Sequence, residues 1–359
     1  MHLSAQKTLA ISKLAGIVML VGVLAATSAT GVLVYNYTKG PANVNESCTS
    51  TTIEFNNYTQ AIAFDPKNHD IYVGVAPNHV EVVSDATNKV IKEITVSGHI
   101  ITSISYNPAN GLLYAAQQLT LENTTIIDGS TNNIVGSLSF EAPVPNADTY
   151  NPSLGIYYYD YFLFSYPSNT ILAVSATTNK IVQNISLGSQ SSAGYLLYND
   201  VNGRLYSFSN NWAYSINPES GVVVSKINLG ANVSGYALDP STGNIYVTLE
   251  NITSSPTGKG LIPGQSDVSM IDVSTNVVQA LLHVPLPLSP VYIQPIHRLY
   301  FIQPSWNLVG FDTQTHTILS NVTLTAQSLP LSALYDPVNT CLYVSSYLEG
   351  PNVSVIATG

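Results

Sequence analysis

Charge is the first thing this chain has little of. Lys, Arg, Asp and Glu make up only 9% of its 359 residues, against about a quarter in an ordinary soluble domain. What charge there is runs acidic. After Asn43 the Lys and Arg number eight (11 less Lys7, Lys13 and Lys39) against all 21 Asp and Glu, a net charge of −13. Such a body repels phosphate, which excludes nucleic acid and anionic lipid head groups as favoured partners. Cysteine is nearly absent as well, Cys48 and Cys341 standing alone, so no Cys-x-x-Cys metal framework exists. The seven histidines (His2, His69, His79, His99, His283, His297 and His316) never fall at His-x-His or His-x-x-x-His spacing. A Gly-x-Ser-x-Gly elbow, a P-loop and a haem-attachment motif are all missing. The run Ser255–Gly260 holds Gly-Lys but no upstream glycine, and reads as loop. No catalytic set, metal site or cofactor is expected.

Long apolar runs are also absent, with one exception. From Leu14 to Val34 there are 21 residues without a charge, enough helix to cross a hydrocarbon core of about 30 Å. Lys7 and Lys13 precede it and no acid appears before Glu46. The positive-inside bias therefore keeps the N-terminus cytoplasmic and sends the body outside. The alternative is a cleaved signal peptide, with Ala25, Ala26, Thr27, Ser28 and Ala29 small enough for processing. Residues 1–43 thus read as cytoplasmic stub, transmembrane anchor and short linker, and 44–359 as the folded body.

What the body has is a repeat. A turn built on Asp-Pro or Asn-Pro is followed by an apolar-Tyr-apolar strand, then by a strand ending in a polar turn. The first copy reads Ala61–Pro66, Ile71-Tyr72-Val73 and Asp85–Ile91. The tyrosine recurs at Tyr72, Tyr114, Tyr157, Tyr206, Tyr246, Tyr300 and Tyr343, at intervals of 42, 43, 49, 40, 54 and 43 residues. A period of about 40–45 residues carrying short strands is that of a β-propeller blade, and seven copies predict seven blades. The seventh copy ends at Thr358 without an outer strand, while Thr51–Phe55 is a strand without a blade. Pairing the two closes the ring and leaves no open edge in the last sheet. Cys48 and Cys341 then fall at the same end of that blade. A bridge between them would lock the closure; two unrelated thiols is the other reading.

The phrases Asp65-Pro66, Ile71-Tyr72-Val73 and Asp85–Val90, and again Asp239-Pro240, Ile245-Tyr246-Val247 and Ile271–Val277, resemble the YVTN family of β-propeller repeats. That family includes YncE-like proteins and archaeal surface-layer propellers. The resemblance covers residues 50–359. It departs at the motif's namesake, since the nearest copy is Tyr246-Val247-Thr248-Leu249, and blades three, four and six drift. The resemblance implies a surface or exported propeller that binds something, and implies no reaction.

Individual residues read mostly as scaffold. Asp85, Asp128, Asp272 and Asp312 group as caps of the turn between the third and fourth strands rather than as a ring of carboxylates. The repeated tyrosines read as blade-to-blade packing with the hydroxyl at a polar edge. Of nine Asn-x-Ser/Thr sequons (Asn36, Asn45, Asn57, Asn123, Asn184, Asn232, Asn251, Asn321 and Asn352), Asn123 and Asn251 lie in loops and are the expected glycan acceptors, whereas Asn352 falls within the last strands.

The informative irregularities are connections between second and third strands. Blade five has the long Leu249–Asp267 stretch and blade three the aromatic Tyr157–Tyr166. Tyr166, Trp212, Trp306 and Tyr347 occupy this position in blades three, four, six and seven and are the candidate binding residues. The competing reading of Trp212 and Trp306 is that they begin a strand and pack. The expectation is a membrane-anchored extracellular, non-catalytic propeller whose partner is a protein or a cell-surface glycan. A metal-dependent propeller enzyme of lactonase or periplasmic dehydrogenase type, and a surface-layer tile, are the alternatives.

Overall fold

The computed structural model describes residues 48–97, 100–117, 124–138, 145–161, 169–188, 194–250, 252–254, 261–263, 267–284, 287–303, 307–324, 329–347 and 352–358. They form seven four-stranded antiparallel sheets, the blades of a propeller, plus one small two-stranded hairpin. Within each blade we letter the strands a to d from the innermost outward. Blade one is Thr59–Asp65, Asp70–Val75, His79–Ser84 and Lys89–Thr95. The apolar segment Leu14–Val34 lies outside the described residues. Among the described residues no helix is long and apolar enough to cross a membrane.

The seventh sheet is built from both chain ends. Its strands a, b and c are Leu329–Asp336, Cys341–Tyr347 and Asn352–Ala357, and its strand d is Thr51–Glu54. Thr51 pairs with Val355 and Ile53 with Val353, antiparallel. Cys48 and Cys341 form a disulfide with their Cα atoms 5.4 Å apart. The N-terminal strand thus supplies the missing rib and the bridge pins it.

The β-branched and aromatic residues of strands b and c explain the sheets, since these side chains suit a pleated surface buried on both faces. The core divides into seven apolar clusters, one in each joint between neighbouring blades. The closing joint, for example, packs Ile53, Ile62, Ile71, Val73, Cys341, Tyr343 and Val353. Each fully buried side chain of this size is worth on the order of 2 kcal/mol. Strands d form the rim and carry the exposed alternation.

Two sequence expectations are corrected by the strand register. In blade three, Ile156 pairs with Ser175 just as Leu112 pairs with Asp128 in blade two. The repeated tyrosine is therefore Tyr158, not Tyr157. Tyr157 is a core residue one position earlier, stacked near Tyr114, Tyr150 and Tyr159. It follows that the first part of the Tyr157–Tyr166 stretch, through Tyr159, is buried strand and not loop. The second correction concerns Asp85. The hairpin closes on Ser84–Lys89 in blade one but on Asp128–Asn133, Asp272–Val277 and Asp312–Thr317 elsewhere. Asp85 is thus one residue beyond the capping position and is not equivalent to the other three.

Candidate interaction face

The blade topology sorts connections by face. The a–b and c–d turns open on one side of the disk, and the b–c and d–a connections on the other.

The turn face is spent on itself. Each a–b turn closes with a residue in the left-handed region: His69, Gly111, Gly155, Gly203, Gly243, His297 and Thr340. In every blade but the sixth an Asp or Asn at the end of strand a caps the turn, its Oδ1 accepting from the amide two residues on. Distances are 2.8 Å for Asp65 to Lys67, 2.9 Å for Asn107 to Ala109, 3.0 Å for Asn151 to Ser153 and 2.8 Å for Asp336 to Val338. The exposed c–d caps do likewise. Asp128, Asp272 and Asp312 are held below the usual carboxylate range, the first two chiefly by the hydroxyls of Ser130 and Ser274 and the third by the Thr315 amide.

A second device stitches blade to blade. An Asn four residues before the repeated tyrosine donates to its hydroxyl: Asn68 to Tyr72 at 3.0 Å, Asn110 to Tyr114 at 3.3 Å, Asn202 to Tyr206 at 2.9 Å and Asn339 to Tyr343 at 3.0 Å. The hydroxyl in turn donates to the residues that follow strand c of the next blade. Tyr72 reaches Asn132, Tyr114 reaches Asn179 at 3.3 Å, Tyr158 the Pro218 carbonyl at 3.2 Å, Tyr300 the Thr358 carbonyl at 3.3 Å and Tyr343 reaches Asn88 at 3.0 Å. Burial pushes the Tyr158 phenol up to about 12 and raises those of Tyr72 and Tyr343 as well, so the clasp stays protonated. Sequence reading placed the tyrosines in the joints but missed the asparagines. The visible signal was Asn-x-x-x-Tyr, recurring at Asn68, Asn110, Asn202 and Asn339.

The opposite face varies from blade to blade. The b–c connection is only Asn210-Asn211 in blade four and residues 76–78 in blade one, but 251–266 in blade five. That last insertion carries its own hairpin, Ile252–Ser254 paired with Leu261–Pro263. Trp212 begins strand c of blade four (Trp212–Ile216) and is half-buried, packed against the cluster between blades three and four. Its ring also lies under the Lys226 ammonium, 4.2 Å from centroid to Nζ, and Tyr214 shares that cation at 5.1 Å. The strand-start reading therefore describes Trp212. Tyr347 is the last residue of strand b in blade seven, its backbone paired with Leu329; its side chain is outside the described residues. Tyr166, Trp306, Asn123 and Asn251 also lie outside them.

Two histidine–carboxylate contacts sit on the rim at this end. His79 Nδ1 is 3.3 Å from Glu93 Oε1, and His283 Nδ1 contacts Asp267 Oδ1. Among the described residues no three His, Cys, Asp or Glu side chains come together as a metal-ligating group. Among the sequons, Asn184 and Asn321 occupy matching, exposed places on strands d of blades three and six, paired with Leu172 and Val309. Asn352 is buried. Compared with known proteins, the chain matches no family model and no curated sequence.

Proposed function

We propose that this chain is a membrane-anchored extracellular propeller of YVTN-repeat type, binding a protein or a cell-surface glycan through its b–c face and performing no chemistry itself. The observation that carries this reading is the contrast between faces: short turns bonded to themselves on one side, all but that of blade six capped by Asp or Asn, and connections of unequal length on the other. Loops on a rigid scaffold can diverge without cost to the fold, which is where binding is usually placed. The Cys48–Cys341 bridge supports an oxidising, exported setting. Replacing Trp212, Trp306 and Tyr347 together by Ala in the full chain is expected to weaken capture from a glycan array or from extracted surface proteins by roughly tenfold or more. Unchanged capture by a variant with wild-type circular dichroism would count against this face.

A second reading, a surface-layer tile, draws support from the rim. The bulged residue after each c–d turn is an exposed aliphatic in several blades, with Ile91, Val135, Val182 and Val224 at 54%, 55%, 55% and 54% exposure. Such apolar side chains on outer edges favour lateral contact. Sedimentation of the full chain without added ligand separates the two readings: a concentration-dependent assembly favours the tile, a constant monomer the binding module.

A further inference from the structure

The joint that closes the ring pairs an acid from one blade with an acid from the next, which no other joint does among the described residues. Equivalence is fixed by backbone bonding. The amide after each capping residue donates to the carbonyl of the left-handed residue in the same blade's a–b turn: Asp85 to His69 at 3.2 Å, Gly129 to Gly111 at 3.0 Å, Ala176 to Gly155 at 2.9 Å and Thr313 to His297 at 3.0 Å. The place filled by Asp85 is therefore Gly129, Ala176 and Thr313 in blades two, three and six. This place faces the residue that ends strand a of the preceding blade. Across the closing joint that residue is Asp336, with no exposed surface, and Asp85 itself is only 7% exposed.

The two carboxyls are within hydrogen-bonding reach of each other. Asp336 Oδ1 accepts from the Val338 amide at 2.8 Å, while Oδ2 is buried and has no other hydrogen-bond partner. Two carboxylate oxygens cannot share a buried contact while both are charged; one proton between them turns repulsion into an O–H···O bond. Asp85 is the better place for the remaining charge, because it has the Ala86 amide and, 3.4 Å from its Oδ2, the His69 imidazole. From blade one the pair is also faced by the Asp70 carboxyl, with Asp65 beyond it, and from blade seven by the Tyr335 and Tyr343 phenols. The facing acids add to the repulsion, and only His69 among these groups can oppose it when protonated.

We propose that the closing joint is held by one proton shared between Asp336 and Asp85, so that the ring tightens in acid and loosens toward neutrality. Asp336 is the donor. Burial, and then its Asp85 neighbour, push the Asp336 carboxyl up to about 7. The folded state thus keeps a proton that the unfolded chain releases near the ordinary aspartate value of about 4. The added stability is full below that value and is lost as pH rises through about 7. This inference stands apart from the binding reading and needs no assumption about export.

The test is thermal unfolding of the oxidised full chain between about pH 4 and about pH 8, at fixed salt. Wild type should lose about 5 °C in Tm across this range. Buried Asp65, Asp70 and Glu81 are raised too, so the diagnostic quantity is the difference from variants. Asp336→Asn places an amide donor against Asp85 at every pH and should lose most of the fall. Asp85→Thr, which installs the blade-six residue, removes the partner acid but leaves Asp336 buried, and should lose a smaller part of the fall. Parallel Tm profiles for wild type and both variants would overturn the proposal. Should either variant fail to fold, infrared spectroscopy of the wild type decides. A protonated carboxyl band persisting at about pH 6 is expected, and its absence sinks the shared proton.

Discussion

The joints between blades one and two and between blades seven and one are built to the same plan, but differ at the place that faces the acid ending strand a. Both carry the Asn–Tyr clasp. Asn68 and Tyr72 reach the Gly129 carbonyl and Asn132, as Asn339 and Tyr343 reach the Asp85 carbonyl and Asn88. Both have an Asp capping the a–b turn. In the first joint that Asp points at Gly129, where an added Cβ would collide with Asp65 Oδ2 and sit 3.0 Å from the Gly111 carbonyl. In the closing joint it points at a second Asp. The repeat therefore supplies a generic clasp, and the closing joint adds two devices of its own: a covalent bridge and an acid pair. Because the ends of the chain meet there, that joint is the one whose opening unravels a sheet.

The largest way to break the comparison is chemical. Reducing the Cys48–Cys341 bridge, or Cys341→Ser, releases a loop spanning 293 residues of sequence and is expected to cost about 5 kcal/mol in denaturant unfolding. No effect on the midpoint would mean that the bridge is dispensable to closure. Next, Gly129→Asp copies the acid pair into the first joint without the room for it. A loss of about 2–3 kcal/mol is expected, larger at neutral pH than in acid. Smaller and symmetric, Tyr72→Phe and Tyr343→Phe should each cost about 1 kcal/mol, since each removes one clasp hydroxyl. A much larger penalty at Tyr343 alone would show that the closing joint bears more of the ring's stability. Smallest, Thr340→Gly should stabilise by up to about 1 kcal/mol. Thr340 holds φ 59°, costly for a β-branched residue, where blades two to five use Gly. A lower Tm would contradict that account.

Much of this architecture was legible in the sequence because it rests on local chemistry repeated at a fixed period. Asp-Pro turns, the strand tyrosines and the unpaired Thr51–Phe55 strand specify seven sheets and the shared closure. Register was less legible. Three successive tyrosines, Tyr157 to Tyr159, fit either alignment by pattern alone, and only the pairing of Ile156 with Ser175 decides. Asp85 was grouped with the turn caps because Ser84, like Asp, can occupy the capping position, which hides a one-residue offset. That offset moves a carboxyl from solvent into the joint. Trp212 was legible as an aromatic at a b–c connection, but its stack under Lys226 depends on the neighbouring strand Val223–Asn228. Sequence periodicity predicts what repeats; the closing joint's own chemistry is what does not.

The sharing of the seventh blade between the two chain ends is tested most directly by hydrogen exchange along strand c, Asn352–Ala357, in the oxidised protein. Alternate amides face inward to strand b and outward to Thr51–Glu54, and the Ala357 amide donates outward to the Ser50 hydroxyl. The account predicts protection of both sets, as in strand c of blade one. Fast exchange of the outward-facing set alone would mean that the N-terminal strand is not part of the ring.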